Sequence, residues 1–385
     1  MSNTTSFEVA FGISGSISAY KSLDVIRHLR KQNISITPIF SSSAKQFVTP
    51  WSVETLAERP LIESDVRSGK ITHLDLIKSA NLLVICPASA NMIAKLATGH
   101  CNDLLSAAFL SFTGPKLLFP AMHTEMYENP ITQANIRTLR NDGIVIIPPD
   151  EGELACGDTG LGRLPDPSVI SQVISAHLLP ETMLKGKSIT ITCGGTQEPI
   201  DSVRHISNNG SGTSGHALAN IAASYGADVT LIRTKQHPTL STIKCVDVSS
   251  ASEMKTAVFA QKEHCDVLIM NAAVSDFTTT PQDKKQSRGT PITLSLNPTD
   301  DILRQFNKES KTTCKSIGYC LSDHDNLIDI AKQKMVAKGC DVIIANAPDN
   351  IGQPNRTFHI IQNDQIITHQ NLSIVETAVE ILKTI

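Results

Sequence analysis

The stretch GKSITITCGGTQEPIDSVRHISNNGSGTSG, residues 186–215, decides the fold. Its apolar, β-branched run Ile189, Thr190, Ile191, Thr192 reads as a buried parallel strand. The run breaks at Gly194-Gly195-Thr196, where two glycines free the backbone to turn sharply and approach a ligand. A second glycine-rich turn, over 208–215, opens an alanine-rich helical pattern over 216–225. A helix N-terminus behind glycines, with Ser211, Thr213 and Ser214 as donors, suits an anion, so a phosphorylated ligand is expected here. The spacing is not G-x-G-x-x-G, and no dinucleotide fingerprint is read from it.

Downstream, the pattern predicts strands at 228–232, 266–270, 315–319 and 341–345. They alternate with helices at 251–264, 301–308 and 325–338, and a hairpin (357–361 with 365–368) and a helix at 373–383 close the chain. A polar, lysine-bearing loop at 271–298 breaks the rhythm. Upstream, strands at 8–13, 34–40, 81–86, 116–119 and 144–147 alternate with helices, among them 17–32, 129–141 and 167–179. This alternation predicts two doubly wound, Rossmann-like α/β domains with mainly parallel sheets, whose ligands gather at the carboxyl ends of the strands. The expected boundary is 1–185 and 186–385, with 180–186 as linker.

Three polar loops fall at those strand ends in the first half: 12–16 (GISGS), Ser41-Ser42-Ser43, and 87–91 (PASAN). Any one of them is ordinary turn chemistry; three in register suit a phosphate plus a planar ring. The glycine-rich segment 148–166, PPDEGELACGDTGLGRLPD, is too long and irregular for a plain connection and reads as a functional flap.

Totals bound the rest. A chain of 385 residues favours two domains, and 41% hydrophobic with 18% charged residues describes an ordinary globular protein. A net charge of −3, without any long Lys/Arg run, argues against nucleic acid as a partner. No apolar run approaches the ~20 residues of a membrane span. The start, MSNTTSFEVAFGI, lacks a basic region followed by an apolar segment, so a cytoplasmic location is expected. Nine cysteines without a C-x-x-C pair argue against zinc and a disulfide framework.

Together these motifs identify a family. GISGSISAYK (12–21), ITHLDL (71–76), PASANMIAKLATGHCNDLLS (87–106), PAMHTEMYENP (120–130) and ACGDTGLGRLPD (155–166) are followed by GGTQEPIDSVRHISN (194–208), NAAVSDF (271–277) and QKMVAKGCDVIIAN (333–346). The chain resembles, over nearly its whole length, the bifunctional phosphopantothenoylcysteine decarboxylase/phosphopantothenate–cysteine ligases of bacterial coenzyme A synthesis. The resemblance implies an FMN enzyme in the first half, with the cofactor held at Gly15, Ser16, Ser41, Ser89 and Asn91. The flavin oxidises the cysteinyl end of phosphopantothenoylcysteine, CO2 leaves, and the resulting enethiol is reduced as an acid supplies a proton, giving 4'-phosphopantetheine.

His73 stands where the family has its catalytic histidine; alone it would be a surface or capping residue. Cys156, in the flap, matches the proton-donating cysteine, since a free thiol is mostly protonated at neutral pH. Cys86 and Cys193 are expected to be buried and structural. His123 replaces the asparagine of the family's PAMN motif. An imidazole still donates a hydrogen bond to a substrate carboxylate, with a changed pH dependence.

For the second half the resemblance implies CTP-dependent ligation of 4'-phosphopantothenate with L-cysteine through an acyl-cytidylate. It assigns Asn208 to the second half-reaction, where a donor is needed at the carbonyl oxygen. CTP would be bound by Met270, Asn271, Ala272, Asp276, Lys284, Thr299, Asp300, Asp301, Ile302, Tyr319, Lys334 and Lys338. Lys284 is also a catalytic candidate, and Asp276 would hold Mg2+. A homo-oligomer is implied, with a trimer-based decarboxylase core and ligase dimers.

Departures cluster around this site. Gln197 replaces an arginine, Thr213 and Ser214 stand where lysine and methionine are common, the lysine loop is shortened to Asp283-Lys284-Lys285, and Ser322-Asp323 replaces an ending in glutamate. Two readings therefore stand: an active bifunctional enzyme, or an FMN decarboxylase whose second half is a degraded ligase serving binding or assembly.

Overall fold

Strand β1 (Glu8–Ile13) is buried except at its first residue, because its apolar run lies inside a sheet covered on both faces. The chain continues through a 3-10 turn (Ile17–Tyr20), α1 (Lys21–Lys31), β2 (Ser35–Phe40), α2 (Pro50–Ala57) and β3 (Leu82–Ala88). It goes on with α3 (Ala90–Ala97), α4 (Leu104–Ser111), β4 (Lys116–Pro120), α5 (Thr124–Glu128), α6 (Pro130–Asn141) and β5 (Val145–Ile146). All five strands are parallel, in the order β2-β1-β3-β4-β5. The order reverses between β1 and β3, so the loops leaving these strands diverge and open a crevice.

The computed structural model describes residues 7–61, 77, 79–179, 184–285, 293–309, 314–363 and 365–385. The chain divides into two units, Met1–Pro180 and Glu181–Ile385. The flap of the first unit is more regular than its composition suggests. It forms a hairpin, β6 (Asp150–Glu153) with β7 (Thr159–Arg163), before α7 (Pro167–His177). A Cβ on Gly162 would stand 2.2 Å from the Met122 carbonyl oxygen, and one on Gly160 2.4 Å from the Thr124 hydroxyl. These glycines let the hairpin lie directly on the segment that carries His123.

In the second unit come β8 (Ser188–Cys193), the small hairpin β9 (Gln197–Pro199) with β10 (His205–Ser207), α8 (Thr213–Ser224), β11 (Asp228–Arg233), β12 (Lys244–Asp247), α9 (Ala251–Phe259) and β13 (Val267–Met270). Then follow the short pair β14 (Phe277–Thr278) with β15 (Asn297–Pro298), α10 (Ile302–Glu309), β16 (Lys315–Leu321), α11 (Leu327–Lys338), β17 (Val342–Asn346), β18 (Asn355–Gln362), β19 (Gln365–Ser373) and α12 (Ile374–Leu382). The eight-stranded sheet runs β12-β11-β8-β13-β16-β17-β18-β19. It is parallel from β12 to β17, and β18 and β19 add antiparallel to one edge. Its order reverses between β8 and β13, the strands that bracket the two glycine-rich turns and the NAAVSDF loop.

Boundaries differ from the sequence expectations for local reasons. Helix α8 starts at Thr213, three residues early, because Gly212 at φ +82° ends the turn. Helix α9 stops at Phe259, where i→i−3 bonds such as Gln261 N to Val258 O tighten the chain into turns. Strands β9 and β12, like β6, β7, β10, β14 and β15, escape the pattern because they are short and carry polar or glycine residues. Among the described residues no helix is long and apolar enough to cross a membrane.

Candidate functional site

In the first unit the three strand-end loops are knitted together. The buried Ser14 hydroxyl donates to the Pro87 carbonyl at 2.8 Å and accepts from the Ser89 backbone N–H at 2.9 Å. The Ser41 backbone N–H reaches the Ile13 carbonyl, and the Ser41 and Ser43 hydroxyls lie 3.3 Å apart. Gly15 sits against Ser43 so closely that a Cβ would meet its hydroxyl at 2.3 Å. Ser16 caps the 3-10 turn and Ser89 caps α3. Two helical N-termini and several hydroxyls are thus gathered at the carboxyl ends of β1, β2 and β3, a donor set that fits the phosphate of a flavin nucleotide. Asn91 is exposed in the first turn of α3, away from these contacts.

Beside this donor set lies a cavity of about 520 Å3 lined by Ser16, Lys21, Met122, His123, Cys156 and Arg163, among others. The hairpin delivers Cys156, whose thiol donates to Asp158 Oδ2 at 3.4 Å. His123 Nε2 lies 3.1 Å from that same oxygen, while its Nδ1 pairs with Glu125. The hydrogen bond to Asp158 raises the His123 pKa above its ordinary 6.5, and the same bond holds the Asp158 carboxyl below 3.8. Burial, with Arg163 nearby, lowers the Lys21 ammonium.

Sequence reasoning named Cys156 and His123 but missed Asp158, which joins them, and the cations Lys21 and Arg163. The only signal for Asp158 was its place two residues beyond Cys156. His73 lies outside the described residues. Cys86 and Cys193 are buried, and burial pushes both thiols up, Cys193 to about 12.

The second unit holds a cavity of about 740 Å3 at the carboxyl ends of β13, β16 and β17. The NAAVSDF loop lines it, and the GGT turn, outside the lining, braces that loop from behind. Ala273 N–H donates to the Gly194 carbonyl at 2.8 Å, Ser275 N–H to the Thr196 hydroxyl at 2.9 Å, and Ala272 N–H to the Thr192 hydroxyl at 3.1 Å. Thr299 is tied to the same loop, its N–H reaching the Asp276 carbonyl and its hydroxyl the Ser275 carbonyl. Asn208, Met270, Asn271, Ala272, Asp276, Thr299, Asp300, Asp301, Ile302, Tyr319, Lys334 and Lys338 all line this one cavity.

The lysines of this unit are arranged unevenly. Lys338 is engaged by Asp301 at 2.7 Å, and Lys255 by Asp300 at 2.6 Å. The exposed Lys284 and Lys285 are not among the cavity-lining residues, so the structure does not bring Lys284 together with the rest. The Asn208 amide donates one hydrogen to the Val274 carbonyl at 3.1 Å and retains a second for a ligand. Asp276 is exposed, and the grouping of metal-ligand side chains found among the described residues is His123, Cys156 and Asp158 rather than one around Asp276. A lone carboxylate fits Mg2+, which takes its other ligands from phosphate and water. Sequence reasoning missed Arg356, whose place on the cavity wall depends on the antiparallel strand β18, to which it had assigned no role.

Comparison with known proteins follows the same division. Residues 1–179 match the family described as Flavoprotein, and residues 184–385 match the DNA/pantothenate metabolism flavoprotein C-terminal domain. The coenzyme A biosynthesis bifunctional protein CoaBC of Escherichia coli K12 is 35% identical over 365 residues, covering 92% of this chain and 89% of that protein. Its namesake from Mycobacterium bovis is 37% identical over 380 residues, covering 93% and 89%. A solved C-terminal domain of such a protein is 32% identical with a TM-score of 0.46, covering 52% of this chain and 95% of its own. With one domain family matched over more than half its length and relatives of this identity spanning nine-tenths of it, the chain belongs to the bifunctional coenzyme A biosynthesis proteins, which join a flavoprotein decarboxylase to a phosphopantothenate–cysteine ligase in one polypeptide.

Proposed function

We propose that the second unit, residues 186–385, joins 4'-phosphopantothenate to L-cysteine at the expense of CTP, and that the first, residues 1–185, converts the product to 4'-phosphopantetheine with FMN. The observation that carries this reading is the single cavity that collects Asn208, Asp276, Tyr319, Lys334 and Lys338 from separate segments of the second unit. In the ligation, a carboxylate oxygen of phosphopantothenate attacks the α-phosphorus and pyrophosphate leaves. The cysteine amine then attacks the acyl carbon and CMP leaves. Asp276 would hold Mg2+ against the phosphates, Lys334 and Lys338 would neutralise them, and the spare Asn208 amide hydrogen would stabilise the oxygen of the acyl carbon. Lys284 would act only after its exposed loop swings inward.

In the first unit Gly15, Ser16, Ser41, Ser89 and Asn91 would hold FMN. Bound there, the flavin would supply the two-electron chemistry that makes CO2 loss easy. The chain supplies the proton handling. Cys156 would protonate carbon in the closing reduction, His123 would bind the substrate carboxylate, and His73 would act at the oxidation. The protein is proposed to be cytoplasmic and homo-oligomeric, with a trimer-based first unit and dimeric second units.

The test supplies phosphopantothenate, cysteine and CTP to purified protein and follows pyrophosphate and CO2 together. Both should appear. Asn208→Asp should still release pyrophosphate yet form little amide, whereas removing Lys284 and Lys285 should abolish pyrophosphate release. Cys156→Ser should permit CO2 release but accumulate the enethiol, since a hydroxyl is far too weak an acid. Replacing His73 should stop the reaction before CO2 forms. CO2 from supplied phosphopantothenoylcysteine without any pyrophosphate release would instead favour a binding module in the second unit, a reading that the exposed position of Lys284 supports.

A further inference from the structure

The larger cavity is lined by polar groups that the protein satisfies only in part. Tyr319 Oη, Arg356 Nε and Thr377 Oγ1 are buried atoms without a hydrogen-bond partner of good geometry, and all three residues line this cavity. Asn271 is the polar neighbour of the tyrosine hydroxyl. Thr377 is only 8% exposed. Leaving such groups unpaired costs free energy, so a cluster of them on one wall marks where a ligand completes the bonding.

The topology explains how they meet. Arg356 is the second residue of β18, opposite Leu372 of β19, and because β18 runs antiparallel its start lies at the carboxyl ends of the parallel strands. Tyr319 is on β16, and Thr377 is in the first turns of α12, which packs against α8. The Arg356 guanidinium donates through Nη1 to Ser214 Oγ, in the first turn of α8. Among the described residues no carboxylate pairs with Arg356, whereas Asp300 and Asp301 on the same cavity are taken by Lys255 and Lys338. A partly buried cation without a counter-charge, beside the positive end of a 12-residue helix, favours an arriving anion.

We propose that Arg356, Thr377 and the Tyr319 hydroxyl, with Ser214, form a phosphate-binding chamber that fixes one phosphate of the ligase substrates. The chemistry fits a tetrahedral, multiply charged group: a guanidinium offers a fork of donors, and hydroxyls supply the remaining directions. Apolar walls from Phe358 and Ile381 exclude the water that would weaken these contacts. The phosphate comes either from the polyphosphate tail of the nucleotide or from the monoester of phosphopantothenate. This proposal rests on the ligase reading for its substrates but not for its chemistry, so inorganic pyrophosphate serves as an independent probe.

The experiment measures binding calorimetrically on the full-length protein, with flavin absorbance and circular dichroism certifying the fold. The probes are inorganic pyrophosphate, CTP against CMP, and phosphopantothenate against pantothenate. Arg356→Met should weaken binding of the phosphate-bearing probe by about 10- to 100-fold, with Arg356→Lys recovering part of it. Thr377→Val and Tyr319→Phe, which keep shape, should each cost about 2- to 10-fold. A loss confined to CTP and pyrophosphate, with CMP spared, assigns the chamber to the polyphosphate tail. A loss confined to phosphopantothenate, with pantothenate spared, assigns it to the monoester. If Arg356→Met does not fold, the two shape-conserving variants decide alone. Arg356-dependent pyrophosphate binding by a protein that takes neither CTP nor phosphopantothenate would keep the chamber and sink the ligase reading. Unchanged affinities in every variant overturn the chamber, and a wild type that binds none of the probes overturns both.

Discussion

Cys156, Asp158 and His123 show how a small departure at one residue reorganises its neighbours. An asparagine at position 123 would carry no charge, whereas the histidine shares the Asp158 carboxylate with the Cys156 thiol. The pair prefers imidazolium with carboxylate, which raises the His123 pKa and lowers that of Asp158. The histidine's contribution to stability is therefore complete below about pH 6.5 and fades as pH rises through its raised folded value. The aspartate's contribution is complete above about pH 4 and fades as pH falls through its lowered value. Both groups are at the surface, so the stability effect is small and salt-sensitive. Proton NMR should find His123 titrating above 6.5, and Asp158→Asn should bring it back down; an unmoved midpoint would mean that Asp158 does not set it. The two ends of this cluster were legible in the sequence because each sits in a motif. Asp158 was not, since its importance exists only once the hairpin folds back onto residues 120–124. The same holds for Arg356 and Thr377, which a linear reading leaves as ordinary hairpin and helix residues.

At the level of elements, the parallel strands were easy to read and the additions to them were not. Strands β1 and β8 are apolar runs buried in sheet centres, so periodicity and burial agree, and observed bounds fall within a residue of those expected. The hairpins β6–β7 and β9–β10 are glycine-bearing or polar and bury little, so no apolar period announces them. Their stability comes from what they lie against. Gly162 makes this testable, because it packs on backbone that cannot rotate away. Gly162→Ala should push the hairpin off the 120–124 segment at a cost of about 1–3 kcal/mol, the usual penalty of overpacking. Gly157→Ala is the comparison. That residue sits at φ +92° with open space around it, so alanine there adds backbone strain of about 1 kcal/mol without any collision. Denaturation midpoints give the two costs. Turnover separates them further, since only displacement of the whole hairpin should carry Cys156 away from His123; equal losses of turnover would show that the glycine contact does not position the thiol.

Over the whole molecule, two sheets each reverse strand order once, and each reversal opens a site at the carboxyl ends of its strands. Each unit also has its own apolar cluster. Leu105, Phe109, Leu118 and Ile136 belong to that of the first, and Met254, Leu303, Phe306 and Ile343 to that of the second. Separate cores imply separate cooperative unfolding, so a scan of the whole chain should resolve two transitions. Phe306 is the residue to use. It is 1% exposed and meets Phe259 edge-to-face at 5.9 Å, so Phe306→Ala removes a ring from the middle of the second core. The loss should be about 3–5 kcal/mol, a large part of what holds a domain of this size together. It should lower the second unit's transition and leave flavin absorbance and the first transition unmoved. Leu118→Ala, in the first core, should do the reverse at about 2–5 kcal/mol. Ligands offer a check from the opposite direction, because a molecule that binds only the folded state raises only the transition of the unit that binds it. CTP should therefore raise the transition that Phe306→Ala lowers, and flavin the one that Leu118→Ala lowers. A single transition that shifts with both variants would mean that the two cores unfold as one, and each site's substitutions would then have to be judged by their effect on the other's chemistry as well.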